Sequence, residues 1–480
     1  MGDGLLSKTY KKPLNLNSHD CENYNLKDSP LLVFDFWNCS PHLETSIEIT
    51  LQHAKTKPVH YCFLGLAFDF NEIYITDNNG YGRELLYIHK LKAHKNISVH
   101  YPTSKLNIYS EKFQEFHFDH QVDYQTLFTL YYEGFPLGKL ILSNLIDKFK
   151  ISNPDIPGLL NVINDMITTY ISLRVWADNF LRSHEGNVCI FNGRYLLPAA
   201  ISHSANYFNR NVMYHDRGGD PNRYIYSARP VQCIQTRIRH HNQIWENKEI
   251  SDDEAYNHGL SEFKLKRNRQ NRNWYSFAEN QTIGNLPQIP ISKKVIVYFG
   301  GSSHEVRSYL DESIFPPGPW PDQFSLLSDI CGIISQYPET FLIIRVHPHV
   351  QNCSKDEQSR WSRLSVPSNA AIVAHDSDID SYALLDRADM IIVESSSMGL
   401  EAIASNKPTI ICGTTPYIGT LNEQHKIQSY NKLEESIKCF PEVSVEQLNK
   451  CLQFQYCESQ LGILYHHAVI NSLFDASIKF

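Results

Sequence analysis

No stretch of the 480-residue chain approaches the roughly 20 consecutive apolar residues that a membrane-spanning helix needs. None of the 11 cysteines forms a C-x-x-C pair. That argues against a zinc or disulfide framework and for reduced thiols. Basic charge is not in excess either: 44 Lys and Arg face 52 Asp and Glu, a net charge of −8. Such a chain has no overall attraction to nucleic acid or anionic lipid. The most basic stretch, "KLKRNRQNRNW" (264–274), reads as a solvated loop. The start "MGDGLLSKTY" lacks the apolar core of a signal peptide and has Leu6 where a myristoylation signal has Ser or Thr. The expectation is a cytoplasmic protein, with any membrane contact peripheral and at the inner face. Also missing are G-x-S-x-G, H-E-x-x-H, a P-loop G-K-[ST] and a G-x-G-x-x-G after the first strand.

What is present is an alternation of apolar strands and amphipathic helices in a chain too long for one core. "PLLVFDFWN" and "PVHYCFLGLAF" read as strands around a helix from "SPHLETSIEITLQHAKTK", with Ser40 as its N-cap. "YQTLFTLYYEG" reads as a helix ending at its glycine, and "PGLLNVINDMITTYISLRVWADNFLRSH" as a long helix. "NVCIFNGR" and "RNVMYHDRGGDP" read as further strands, separated by a helix. A polar, proline-marked stretch follows, and the pattern restarts at "KKVIVYFGGSSHE". These features predict an α/β domain over 1–285, a second doubly wound domain over 286–455 and a helical segment over 456–480. Two Rossmann-like domains facing a central cleft would place ligands beyond the carboxyl ends of the strands.

Polar signatures lie at such strand ends. "RVHP" presents Arg345 and His347 just before a strand-stopping proline, a pairing suited to phosphate. "VESSSMGLEA" carries Ser395, Ser396 and Ser397 into a helix start, where hydroxyls and main-chain N–H groups suit an anion. Glu401, further along that helix, suits ribose hydroxyls or the helix dipole, and Glu394 suits either role. Gly301 and Ser302 sit in the glycine-rich turn "FGGSSHE". In the first domain Arg194, His215, Asp216, Arg217 and Asp220 cluster near strand ends, and a general base would come from this set. The spacing of His215, Asp216 and Asp220 matches no standard metal site, so no metal is expected.

Over about 290–420 the chain resembles the capsular polysaccharide biosynthesis group of GT-B glycosyltransferases, which includes the bacterial β-Kdo transferases. The likeness rests on "VIVYFGGSSHE", "WPDQ" (320–323), "RVHP" and "DSYALLDRADMIIVESSSMGLEAIASNKPTII". It implies a GT-B-like fold and transfer of a sugar from a nucleotide-sugar donor to a polysaccharide or glycolipid acceptor. The donor would lie on the second domain, where the family's motifs fall on His347, Ser395, Ser396, Ser397 and Glu401, and the residue reading adds Gly301, Ser302 and Arg345. The acceptor and the catalytic group would come from the first domain, where the strand-end residues offer Arg194 and Arg217 for the acceptor and Asp216, ahead of His215, as catalytic group. No cofactor beyond the donor is implied, and CMP, UDP and GDP remain open as its nucleotide. A further Q-P motif of the Kdo transferases is missing from its place, and Asn406 stands where many relatives have glycine. The E-A-x-x-x-[GN]-K-P pattern also occurs in nucleotide-sugar 2-epimerases and in CDP-glycerol-type polyol-phosphate transferases. A non-catalytic partner that binds nucleotide sugars would retain the serine turn without the base.

Overall fold

The computed structural model describes residues 29–36, 39–65, 82–101, 118, 122–270, 278–291, 293–312, 316–418, 425–472 and 475–480. The polar start of the chain and residues 271–274 of the basic stretch lie outside them. The chain divides into two compact units. The first comprises 1–148, 153–232 and 462–480, the second 149–152 and 233–461.

The first unit is built on a seven-stranded sheet. Its strands are β1 (Leu31–Asp35), β2 (Val59–Phe63), β3 (Ile97–His100), β4 (Asn187–Phe191), β5 (Val212–Arg217), β6 (Arg223–Ser227) and β12 (Ile463–Leu464), in the order β12-β6-β5-β4-β1-β2-β3. β1 to β5 are parallel, whereas β6 and β12 close one edge antiparallel. β1 and β4 are buried at every position, which is why they read as unbroken apolar runs rather than alternating ones. The expected long helix forms over Leu160–Ser183. "YQTLF" gives only the five-residue helix Tyr124–Phe128, and the chain then turns through Glu133 at φ 47°. Ser40 does not cap helix His42–Ala54. Its hydroxyl instead accepts a hydrogen bond from Arg83 at 2.7 Å.

The second unit holds a five-stranded, wholly parallel sheet. β7 (Lys294–Phe299), β8 (Thr340–Arg345), β9 (Ala370–Val373), β10 (Met390–Val393) and β11 (Thr409–Ile411) run in the order β11-β10-β7-β8-β9. One apolar cluster lies on each face. Val297, Ile343, Ile391 and Leu400 belong to one, and Ile296, Ile344, Ile392 and Leu326 to the other. Both units are thus doubly wound and Rossmann-like.

The boundary near 285 is corrected to 232/233. Helices Ile234–Glu246 and Asp252–Arg267 belong to the second unit because both dock on helix Val445–Ser459. Arg237 and His241 clasp Glu458, and Gly259 lies so close to Leu452 that a Cβ there would sit 2.2 Å from its carbonyl oxygen. The basic stretch begins as the last turn of helix Asp252–Arg267, not as a loop. Lys264, Lys266 and Arg267 complement the dipole there, opposite an acidic first turn closed by a Ser251–Glu254 capping box.

The tail after Ser459 is corrected from helix to strand. β12 joins the first sheet, and β13 (Ala468–Ser472) and β14 (Asp475–Ile478) form a hairpin. The buried Glu48 carboxylate holds this tail by accepting from the main-chain N–H groups of His466, His467 and Ala468 at 3.1, 2.6 and 2.8 Å. Burial alone would raise the Glu48 carboxyl. These bonds and one from Gln52 outweigh it and hold the carboxyl below its ordinary value.

Candidate functional site

In the second unit, β10, β7 and β8 are neighbours, so their carboxyl ends form a row. Gly300 leaves β7 with its N–H bonded to the Arg345 carbonyl at 3.0 Å. Gly301 then passes so close to the serine turn that a Cβ would lie 2.6 Å from Ser395 Oγ. Next, Ser302 Oγ lies 3.5 Å from His347 Nδ1 and 3.4 Å from His349 Nδ1. Gly301, Ser302, His347 and Ser395, drawn from three strand ends, are therefore brought together as expected.

His347 is set by its own turn. The main-chain N–H of His349 donates to His347 Nδ1 at 3.1 Å, so the ring proton sits on Nε2. Burial, more than any neighbouring charge, lowers His347 to about 4. The ring is thus a neutral N–H donor at neutral pH.

The serines divide their work. Ser396 is buried, its Oγ accepts from Met398 N at 3.3 Å, and its carbonyl accepts from Tyr417 OH at 2.6 Å. Ser396 therefore builds the turn. Ser397 is the N-cap by position, but its side chain makes no cap bond and is exposed. Gly399 is required by packing, since a Cβ would meet Tyr417 OH at 2.6 Å and Val393 Cγ2 at 2.9 Å. Glu394 sits at the head of this turn with its carboxyl raised to about 7 by burial, to which the Asp322 charge adds.

Two expected ligand groups are otherwise engaged. Arg345 is 2 % exposed, and its guanidinium donates to the carbonyls of Ala374 and of Ser377, the latter at 3.2 Å. It braces the loop after β9 and is not presented at the strand end. Glu401 is 8 % exposed, and its Oε2 accepts from Tyr382 OH at 2.7 Å. Tyr382 thus holds the carboxylate that ribose was expected to meet.

A signal missed in the sequence is the company of His347. His304, Glu305 and His349 place one ligand atom each within 4.8 Å of one another, beside Ser302. "SSHE" and "HPH" carry these residues, and their adjacency shows only once β7 and β8 are paired. They could hold a metal ion.

In the first unit, the ends of β4 and β5 bring Asn192 and Asp216 together. Asp216 Oδ2 accepts from Asn192 Nδ2 at 2.6 Å and Oδ1 from the Arg217 N–H at 2.7 Å. Asn192 reaches this place by a left-handed backbone, φ 57°. Burial raises the Asp216 carboxyl, although its hydrogen bonds and Arg217 and Arg194 act against it. His215 is corrected as a catalytic candidate. It points to the other face of β5, is 0 % exposed, and lies 3.1 Å from Ser46 Oγ. Burial pushes it down to about 3. Arg194 lies over the Tyr195 ring and 3.5 Å from Asp147. Arg217 is half-buried; burial lowers its guanidinium, and the Asp216 charge is the largest influence acting against that. Asp220 is a turn residue whose Oδ1 accepts from Asn222 N at 2.8 Å. Sequence reasoning overlooked His42, at the first turn of the helix after β1. Its ring packs 4.0 Å from that of Phe191, and burial, with Arg217 and His215, keeps it neutral.

Residues 306–458 match the model of a family described as "Capsule polysaccharide biosynthesis protein". No curated protein sequence matches the chain. Among solved structures, the β-Kdo 2,4-transferase of Thermosulfurimonas dismutans KpsC aligns at 14 % identity and TM-score 0.38, over 56 % of this chain and 78 % of that one. Its β-Kdo 2,7-transferase aligns at 12 % and 0.33, over 59 % and 80 %. A UDP-GlcNAc 2-epimerase of Methanocaldococcus jannaschii aligns at 12 % and 0.30, over 88 % and 97 %. Values of this size fix neither a substrate nor an activity for this chain. What the chain shares with the capsule polysaccharide biosynthesis family is thus similarity over residues 306–458, from the end of helix Ser303–Arg307 to the end of helix Val445–Ser459.

Proposed function

We propose that the protein is a glycosyltransferase of surface-polysaccharide or glycolipid assembly. The second unit binds a nucleotide-sugar donor and the first unit a glycan or glycolipid acceptor. The observation that carries this reading is the meeting of Ser302, His347 and the Gly301–Ser395 contact at three adjacent strand ends. The family match over 306–458 supports the polysaccharide context.

In this reading the acceptor hydroxyl attacks the anomeric carbon, the bond from that carbon to the phosphate oxygen breaks, and the nucleotide leaves with the electron pair. His347 Nε2–H and the hydroxyls of Ser302 and Ser395 donate hydrogen bonds to the phosphate as its charge grows. They are in place before the reaction, so little reorganisation is needed. Asp216, oriented by Asn192, takes the acceptor proton. Its raised pKa suits that task. In this reading transfer does not depend on a metal at the His304, Glu305 and His349 group, and the protein is cytoplasmic, with any membrane contact peripheral and at the inner face. Among the described residues no helix is long and apolar enough to cross one.

A thermal-shift panel of CMP-, UDP-, GDP- and CDP-linked donors, followed by product analysis by NMR, tests the reading. Stabilisation by one donor and transfer that survives EDTA are expected. Asp216→Asn should retain donor binding and lose transfer. Stabilisation by none of the donors, or full activity in Asp216→Asn, contradicts the assignment.

A further inference from the structure

Three histidines in the first unit converge away from both sites described above. His60 lies on β2, His100 ends β3, and His184 follows the last turn of helix Leu160–Ser183. His60 is opposite Ser98 in the parallel register, so His60 and His100 project from the same face of the sheet. The helix end lies over that face, where Phe180 packs against Phe34 of β1. Each of the three histidines is half-buried.

The rings are arranged as ligands. His60 Nδ1 and His100 Nε2 are 3.0 Å apart. One nitrogen from each of the three residues lies within 4.8 Å of the other two. A tetrahedral Zn²⁺ with Zn–N bonds of about 2.0–2.1 Å separates its ligand nitrogens by about 3.3 Å. The His60–His100 pair is already near that spacing. His184 is oriented by a bond of the kind that supports metal-bound histidine: its Nδ1–H donates to the Phe180 carbonyl at 3.0 Å. That fixes the tautomer and leaves the Nε2 lone pair as the ligand. The Phe180 ring stacks on His184 at 4.0 Å and meets His100 edge-on at 5.2 Å, which limits rotation of both imidazoles.

We propose that His60, His100 and His184 form a binding site for one divalent transition-metal ion, Zn²⁺ by preference. Three neutral imidazoles suit this ion, and a water completes its coordination. On binding, His60 and His100 each keep their proton on the nitrogen turned away from the metal, so the short contact between them becomes two metal bonds. The ion ties the edge strand β3 and the end of the long helix to β2.

The test is competitive titration of the metal-free full chain with ZnCl₂ against a chelating dye, with Co²⁺ absorption as a second readout. His100→Asn and His184→Gln are the variants, and His349→Asn is the control for the other His/Glu group. Removing an outer-shell partner of a metal site costs about 10–100-fold in affinity, so loss of a ligand should cost at least about 100-fold. The wild-type chain and the control should bind a Zn²⁺ equivalent that both variants lose. Zn²⁺ should raise the melting temperature of the wild type and not of His184→Gln. The Co²⁺ form of the wild type should show the intense visible bands of a tetrahedral site, a readout independent of whether any variant folds. Equal Zn²⁺ affinity and stoichiometry in wild type and both variants would overturn the proposal. So would absence of Zn²⁺ uptake, or a Co²⁺ spectrum no stronger than that of the aqueous ion.

Discussion

Glu394 joins β10 to the three serines, and its carboxyl is raised from 4.5 to about 7 by burial, with Asp322 adding to the effect. The folded protein therefore binds this proton more tightly than the unfolded chain does. The gap is worth about 3 kcal/mol. The sign follows from linkage: the contribution is complete below pH 4.5, shrinks as pH rises, and is lost above about 7. Glu394→Gln keeps the size of the side chain but cannot ionise. Relative to wild type, the variant should gain up to about 3 kcal/mol between about pH 5 and about pH 8. Hydrogen exchange of the buried β7 and β10 amides measures the opening of this unit alone. A stability difference between variant and wild type that is the same at both pH values would refute the reasoning. It would mean that Glu394 is solvated or holds a partner in its charged form.

Other positions give independent checks. Glu458 accepts from Arg237 Nε and His241 Nε2, both at 3.0 Å, so Glu458→Ala should cost about 2–3 kcal/mol in urea unfolding. Burial would raise that carboxyl, but Arg237 and His241 outweigh it and hold it far below its ordinary value; the cost of the variant should therefore fade on acidification below 4.5. Gly259→Ala sets a methyl against the Leu452 carbonyl and should cost about 1–3 kcal/mol, read as a lowered melting temperature. Asn406 has φ 55°, so Asn406→Gly should be close to neutral, whereas Asn406→Val should cost about 1–2 kcal/mol in the same assay.

The parallel strands were legible because burial on both faces leaves a continuous apolar run, as in "LLVFD" and "MIIV". His347 was legible because Pro348 ends its strand, and the serine turn because it opens a helix after a buried strand. Arg345 was misread because a long side chain at a strand end can turn sideways. What it meets, the carbonyls of Ala374 and Ser377, is set by the loop after β9. His215 and Asp216 were both candidates in sequence, Asp216 the preferred one, and alternation along β5 buries His215 against Ser46 and turns Asp216 to Asn192. The tail failed as helix because its strands are specified by remote partners, Tyr224 for β12 and Glu48 for the turn before β13. The domain boundary failed for a related reason: helices Ile234–Glu246 and Asp252–Arg267 are claimed by helix Val445–Ser459, far along the chain. Asn406 was noted as a departure from glycine. Its left-handed backbone explains why asparagine serves there.

The most direct measurement is the affinity of the donor that the thermal-shift panel selects, titrated calorimetrically into wild type and His347→Ala. Loss of a hydrogen bond to a charged phosphate is worth about 1.5–3 kcal/mol. The account predicts binding to wild type that His347→Ala weakens about 10–100-fold. Equal affinity in the two proteins would contradict it.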